Sequence, residues 1–395
     1  MSARVTRRAF LRAAGAAATL AACRTTPRGA PTLPAHGDNL PIDPGAPIER
    51  GATLRVYQWR DYLAPAVIER FVRRHATHDV DVSVESFTSM PEAVARLRSP
   101  DGDFDVVFPT MEALAGLVKD GLLLPLTPDL LPNRRNLWRF FQDGPFYDPE
   151  QRHSVPYTVY TTGIGWRRDL VAAADAPSAL ANPYDAFWNP RYRGAVGIYD
   201  DYREAIAMAL LRRGGDPNTG DAVNIEGAVD DLIELITAVE VEVSAEGAYE
   251  ELQSGEYAVQ QSWSGDLLSA RRFGSSAHDT GAIAFTWPRG GIVGCDLTAI
   301  CVRGRSPVLA HAFLNHLLVD DVALRNFAWN GYQPPVAAAE LGALLSSPWR
   351  GIVPDNLRAT ILAPEDLTTG RFLVPLRPEI DARWRVGWQR FLDAA

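Results

Sequence analysis

Apolar and polar residues change period repeatedly along this chain. Leu54 and Val56 alternate with Arg55 and Tyr57, which predicts a strand ending at Trp59. Pro65, whose fixed φ suits a first helical position, opens the next element. Val67, Ile68, Phe71 and Val72 then recur on one helical face. Residues 103–108 read as a buried strand stopped at Pro109, with Thr110-Met111-Glu112 opening a helix. Residues 195–199 form another short strand, followed by Asp200-Asp201-Tyr202-Arg203-Glu204 and a helical run over 205–212. Residues 258–263 are a further strand, followed by Ser264-Gly265-Asp266 and a helix to residue 272. Strands alternating with helices predict an α/β fold with mostly parallel sheets. No internal repeat of fixed period is visible.

Each strand-to-helix junction carries aromatics, hydroxyls or acids. In open α/β sheets, ligands sit beyond the carboxyl ends of the strands, so Trp59–Tyr62 is a candidate binding edge. Every such residue also has a structural reading. Asp201 and Glu204 at a helix start suit caps that satisfy free amides and offset the helix dipole. Trp59 and Trp263 suit packing, as large aromatics usually do, and Tyr332 lies in a turn. Asp296 differs, because it lies between the apolar runs 290–295 and 297–302. A carboxylate there needs a cationic neighbour or a ligand.

The front of the chain concerns location. Thr6-Arg7-Arg8-Ala9-Phe10-Leu11-Arg12 fits a twin-arginine export signal. The apolar stretch behind it spans about ten residues, against roughly 20 needed to cross a bilayer. Leu20-Ala21-Ala22-Cys23 reads as a lipobox in which Cys23 carries lipid, the alternative being an ordinary signal peptide. Residues 1–22 are therefore the leader, and the Pro-rich residues 23–50 a tether between membrane and folded body.

Charge narrows the partners. The whole chain carries −9, and removing the leader takes this to about −13, which disfavours nucleic acid. The part after residue 50, about 345 residues, is too long for one compact core and suggests two lobes. Cys295 and Cys301 on one extended strand would lie about 20 Å apart, so they are expected as free thiols. Glycine-rich phosphate loops and a nucleophile elbow are absent from the sequence. His75 and His78 lack nearby acid or thiol ligands, so no metal or cofactor is expected. Asp201 and Glu204, three apart on one helix, would be neighbours rather than groups flanking a scissile bond, which argues against an enzyme.

Nine short segments, taken in order, carry a further signal. They include Tyr57-Gln58-Trp59-Arg60-Asp61-Tyr62, Phe104-Asp105-Val106-Val107, Lys119-Asp120-Gly121 and Ser154-Val155-Pro156-Tyr157. Trp188-Asn189-Pro190-Arg191-Tyr192-Arg193-Gly194, Asp200-Asp201-Tyr202-Arg203-Glu204 and Ser262-Trp263-Ser264-Gly265 follow. Trp287-Pro288-Arg289-Gly290-Gly291 and Gly331-Tyr332-Gln333-Pro334 complete the set, and together, over roughly residues 52–390, these segments resemble the periplasmic spermidine/putrescine-binding proteins, the solute receptors of polyamine ABC transporters. The resemblance implies a two-lobed periplasmic-binding-protein fold with hinge strands and an interlobe ligand cleft. Residues 51–160 plus 291–338 would form one lobe and 161–288 plus 342–395 the other. Crossings would fall near 158–163 and 286–294, with a return near 336–343.

Carried over position by position, the implied pocket falls on Trp59, Asp61, Tyr62, Thr110, Asp201, Glu204, Trp263, Asp296 and Tyr332. The resemblance departs at Arg60, where a small hydroxyl residue is usual, at Glu112, near a common tyrosine, and at Gly294, where an aromatic wall is common. Leu373 matches a position that can be a glutamine contact. A guanidinium at Arg60 opposes a cation, pairs with Glu112, or binds a substrate carboxylate in a bidentate fork. Arg60 and Glu112 are therefore counted with the candidate ligand-binding residues.

The resemblance implies an exported receptor, periplasmic or on the cell surface and monomeric, that captures putrescine or spermidine for a membrane permease and its ATPase, and the lipobox adds a lipid anchor at Cys23. The same trap with a zwitterionic cargo such as 4-aminobutyrate is the alternative. An extracytoplasmic hydrolase and a ligand-dependent sensor subunit are further readings.

Overall fold

A computed structural model describes residues 40–244, 251–273 and 280–395; the export signal, Cys23 and the tether up to residue 39 lie outside the described residues. Its strands are β1 (Thr53–Trp59), β2 (Asp81–Phe87), β3 (Val106–Val107), β4 (Val155–Arg167) and β5 (Val196–Tyr199). They continue with β6 (Glu242–Ser244), β7 (Val259–Trp263), β8 (Ile283–Thr286), β9 (Ile292–Ile300) and β10 (Arg371–Phe372). The longer helices are α1 (Pro65–Arg74), α2 (Met90–Arg98), α3 (Met111–Lys119), α4 (Tyr202–Arg212) and α5 (Ala222–Val239). After them come α6 (Ser264–Phe273), α7 (Pro307–Leu317), α8 (Asp320–Asn330) and α9 (Pro378–Leu392).

The local expectations at β1–α1, β5–α4 and β7–α6 hold to within a few residues. The strand expected over 103–108 shrinks to Val106–Val107, because Asp105 turns its carboxylate onto backbone amides instead of continuing the ladder. Asp105 Oδ2 accepts from Arg55 N at 2.7 Å, and its Oδ1 from Arg305 N at 2.7 Å and Ser306 N at 2.8 Å.

The strands join in one sheet of order β2-β1-β3-β9-β4-β7-β5-β6, with β10 on β9 and β8 on β4. The expectation of mostly parallel pairing is corrected at its centre. β1 pairs in parallel with β2 and β3, and β5 with β6 and β7, but β3–β9, β4–β9, β4–β7 and β4–β8 are antiparallel. Strand–helix alternation predicts parallel units locally; it says nothing about two long strands that pair with each other from far apart in sequence.

Two hydrophobic cores flank this centre. One gathers Leu54, Val56, Phe71, Val107, Leu114 and Phe313 with the inner face of β9. The other gathers Ile164, Val196, Ile206, Leu232, Trp384 and Phe391, where α4, α5 and α9 pack together. β4 serves both: Val155 and Val159 belong to the first and Ile164 and Trp166 to the second. The C-terminal segment differs from the expected return near 336–343. Leu344, Val353, Leu357, Leu367 and Val374 still pack in the first core, and the second takes over at Leu376 and Ile380.

The tether also ends earlier than residue 50. The carboxylate of Glu49 accepts from Val308 N at 3.0 Å and Leu309 N at 2.8 Å, satisfying open amides at the start of α7. Thr127 Oγ1 donates to Ile42 O at 2.9 Å. Cys295 and Cys301 are buried free thiols, as expected. Among the described residues, no helix is long and apolar enough to cross a membrane, and no group of side chains could hold a metal ion.

Candidate functional site

The site is built on one face of the central strand pair. Thr158, Tyr160 and Thr162 of β4 lie opposite Asp296, Gly294 and Ile292 of β9. Alternate strand residues share a face, so these six positions form a common floor. Thr158 and Thr162, four residues apart, mark points about 13 Å apart along it.

At one end, Tyr62 reaches the floor from the turn after β1. Its hydroxyl lies 2.8 Å from Thr158 Oγ1 and donates to Asp296 Oδ2. Asp296 is only 6% exposed. Burial pushes its carboxyl up to about 7, and the charge of Glu112 adds to this against the hydrogen bonds from Tyr62 and Thr158. Thr110, at the start of α3, forms an isolated antiparallel bridge with Asp296. Glu112, on the first turn of α3, is half-buried and raised by burial, with Thr110 and Arg203 drawing it back down.

At the other end stands Glu204, also 6% exposed. Asp201 is the N-cap of α4 and accepts from Arg203 N at 2.8 Å and Glu204 N at 3.2 Å. Glu204 thus occupies the position from which an acid commonly folds back onto the cap residue's amide. Here it turns away, and its Oε1 accepts from Thr162 Oγ1 and Trp263 Nε1, both at 3.1 Å. Its Oε2 is buried and meets no partner among the described residues. Burial pushes this carboxyl up to about 8, Asp201 raising it further. Asp201 is raised by burial as well. An orphaned carboxylate oxygen is costly to bury unless something arrives to bind it.

Aromatic rings line the space between the ends. Trp263 stacks on Tyr199 with ring centroids 4.2 Å apart. Tyr332 approaches Tyr62 at 5.5 Å, edge to face. Buried Asp266 ties these rings together, accepting from Tyr332 Oη at 2.5 Å and Tyr199 Oη at 3.0 Å. Tyr160 stands between them, its ring 6.4 Å from Trp263 and 6.0 Å from Tyr332.

The fold therefore brings together Tyr62, Thr110, Glu112, Asp201, Glu204, Trp263, Asp296 and Tyr332. Trp59 is half-buried beside Phe87 at 4.6 Å, its indole nitrogen buried without a partner among the described residues. Arg60 and Asp61 are exposed in the turn after β1, and neither forms an ion pair among the described residues. Asp61 adopts φ 58°, and its carbonyl accepts from Trp329 Nε1 at 3.0 Å. The cation whose field reaches Glu112 is instead Arg203, whose guanidinium lies 4.7 Å over Trp384 and donates to Asn218 Oδ1 at 2.8 Å. Leu373 packs in a small apolar group with Ala207 and Ile292.

Sequence reasoning missed Thr158, Tyr160, Thr162, Tyr199, Arg203 and Asp266. The alternation Thr158-Val159-Tyr160-Thr161-Thr162 held a usable sign, since polar groups recur at every second position of a strand buried on both sides. Asp266 and Arg203 gave none beyond their helix-start positions.

The sequence profile described as bacterial extracellular solute-binding protein matches residues 66–350. The chain is 30% identical over 289 residues to the spermidine/putrescine-binding periplasmic protein of Escherichia coli, covering 73% of this chain and 78% of that protein. It superposes on the TpPotD lipoprotein of Treponema pallidum with a TM-score of 0.72 at 19% identity, covering 86% of this chain and 99% of the other. The spermidine/putrescine ABC transporter substrate-binding protein of Streptococcus pneumoniae gives a TM-score of 0.71 at 19% identity, covering 87% and 99%.

Proposed function

Since the chain belongs to the bacterial extracellular solute-binding proteins, a family of two-lobed receptors, we propose that it captures a polyamine, putrescine or spermidine, for an ABC transporter. The carrying observation is Glu204 Oε2, a buried carboxylate oxygen without a partner among the described residues, at the opposite end of the β4–β9 floor from Asp296. A polyamine is a flexible run of methylenes bearing ammonium groups. The rings of Trp263, Tyr332 and Tyr62 shed water against the methylenes, and a cation over such a face gains about 0.5–2 kcal/mol. Carboxylates at the two ends fix the ammonium groups by charge-assisted hydrogen bonds.

The two cores are the two lobes in this reading, with β4 and β9 crossing between them and the C-terminal segment changing lobes between residues 374 and 380. Glu112 from the first side faces Asp201 and Arg203 from the second, so ligand bridging both sets favours the closed form. Periplasmic relatives support export. Export by the twin-arginine signal, lipid on Cys23 and a monomeric receptor docking on permease and ATPase subunits complete the proposal.

Calorimetric titration of the delipidated protein with putrescine, spermidine and 4-aminobutyrate tests it. Saturable binding of a polyamine supports the assignment; a clear isotherm for 4-aminobutyrate with none for either polyamine overturns it. The zwitterion is kept as the second reading because of Arg203, which lies within the fields of Glu112 and Asp201 with its Nε buried and without a partner among the described residues. Arg203 takes over the role that the sequence suggested for exposed Arg60.

A further inference from the structure

The middle of the floor is built by an exchange between two strands. Gly294, on β9, lies directly opposite Tyr160, on β4. A Cβ at Gly294 would strike the Tyr160 ring, coming within 2.5 Å of both its Cε2 and its Oη. Glycine inside a strand commonly marks such a close approach. The side chain that Gly294 lacks is thus replaced by a ring arriving from the neighbouring strand.

That ring occupies a distinctive place. It stands at the midpoint between Thr158, which serves the Asp296 end, and Thr162, which serves the Glu204 end. Its phenol is raised by burial and by the fields of Asp296, Glu112 and Glu204, so acids from both ends reach it. The side chain is half-buried, and its hydroxyl forms no hydrogen bond among the described residues. A phenol carries an apolar face and an oxygen able to accept a hydrogen bond. An all-carbon wall would offer only the face.

We infer that Tyr160 contacts the solute and sets its specificity, its ring lying against the alkyl chain and its hydroxyl accepting from an ammonium placed between the chain's two ends. This inference rests on the polyamine reading above. Gly294 is the companion that makes room for the ring. Such a wall favours spermidine, which has an internal amine, over putrescine, which has none.

The test is calorimetry of wild-type protein, Tyr160→Phe and Tyr160→Ala with putrescine and spermidine. Tyr160→Phe keeps the ring and removes the oxygen; it should weaken spermidine about tenfold while changing putrescine no more than about twofold. Tyr160→Ala should weaken both. An unchanged spermidine-to-putrescine ratio in Tyr160→Phe overturns the hydroxyl's role, and wild-type affinities in Tyr160→Ala overturn the whole inference. Wild-type protein that binds neither polyamine overturns the polyamine reading and this inference with it. The packing has its own readout in thermal unfolding. Gly294→Ala should lower the melting temperature, and most of that loss should vanish in Gly294→Ala/Tyr160→Ala. An equal loss in both backgrounds sinks the claim that Gly294 exists for the ring.

Discussion

Tyr62 and Asp296, 234 positions apart in sequence, are joined by a buried hydrogen bond in which the phenol donates to the carboxylate. That bond fixes one end of the cleft, because the same hydroxyl also meets Thr158 Oγ1 at 2.8 Å. Tyr62→Phe keeps the ring and strands both partners. The loss of a hydrogen bond to a charged group is worth about 1.5–3 kcal/mol, so polyamine affinity should fall at least tenfold. Titration calorimetry at fixed pH checks this; unchanged affinity would place the Asp296 end outside the binding surface.

At neutral pH in the unliganded site, Glu204, pushed up to about 8 by burial, is mostly protonated, and Asp296, pushed up to about 7, is about half protonated. Binding a cation favours their charged forms and expels those protons. Affinity should therefore rise with pH from 6 to 9 and level off above the folded values. Titrations in buffers of different ionisation heat should report net proton release, and equal heats in all buffers would contradict it.

The same two acids make the unliganded protein's stability depend on pH with a definite sign. Their folded values lie above the unfolded ones, so the folded state binds more protons between the two. Their contribution is complete below the unfolded carboxylate range near pH 4 and is lost as pH rises through about 7 to 8. Glu204→Gln, unable to ionise, should melt higher than wild type above pH 8 while binding polyamine at least a hundredfold more weakly, an effect of the size expected for a lost buried charge pair. Parallel melting curves for the two proteins across pH 5–9 would count against the assignment.

Asp201 holds α4 by its cap, accepting from Arg203 N and Glu204 N, and so aims Glu204. Asp201→Ala should destabilise the protein by about 0.5–2 kcal/mol, whereas Asp201→Asn keeps a cap acceptor and most of the stability. If both variants lose affinity, the charge of Asp201 acts on the ligand; if only the alanine does, the cap is its whole role. Denaturant unfolding paired with calorimetry separates the two.

Glu49 anchors the segment that leads into β1 by accepting from two amides at the start of α7. Glu49→Ala should cost about 1 kcal/mol in denaturant unfolding, as a lost helix cap does. Polyamine affinity should stay at the wild-type value, since Glu49 lies among first-core residues away from the cleft floor. A matching loss of affinity would show that this segment bears on the site.

Legibility from sequence follows the range of the interaction. Asp201 and Glu204 were readable as helix-start acids, and the cap reading holds for Asp201 alone: Glu204 forgoes the fold-back and reaches Thr162 and Trp263. Asp296 was conspicuous because an isolated acid between apolar runs demands a partner; the chain gave no hint that the partner is Tyr62. Arg60 drew attention by its charge, yet it is exposed, and the cation beside Glu112 is Arg203 from another part of the chain. Gly294 read as a missing wall, because its replacement lies on a different strand.

By itself, the sequence determined the local elements: the change from period two to period 3.6 at Trp59, Tyr199 and Trp263, the helix starts at Pro65 and Asp201, and the free state of Cys295 and Cys301. These depend on contacts within a few residues. Only the tertiary structure decided that β4 and β9 run antiparallel through the centre, that the C-terminal segment stays with the first core to Val374, and that Tyr160 fills the space over Gly294. Each of those depends on which distant strands share hydrogen bonds, and a one-dimensional pattern of apolar and polar positions carries no register between strands.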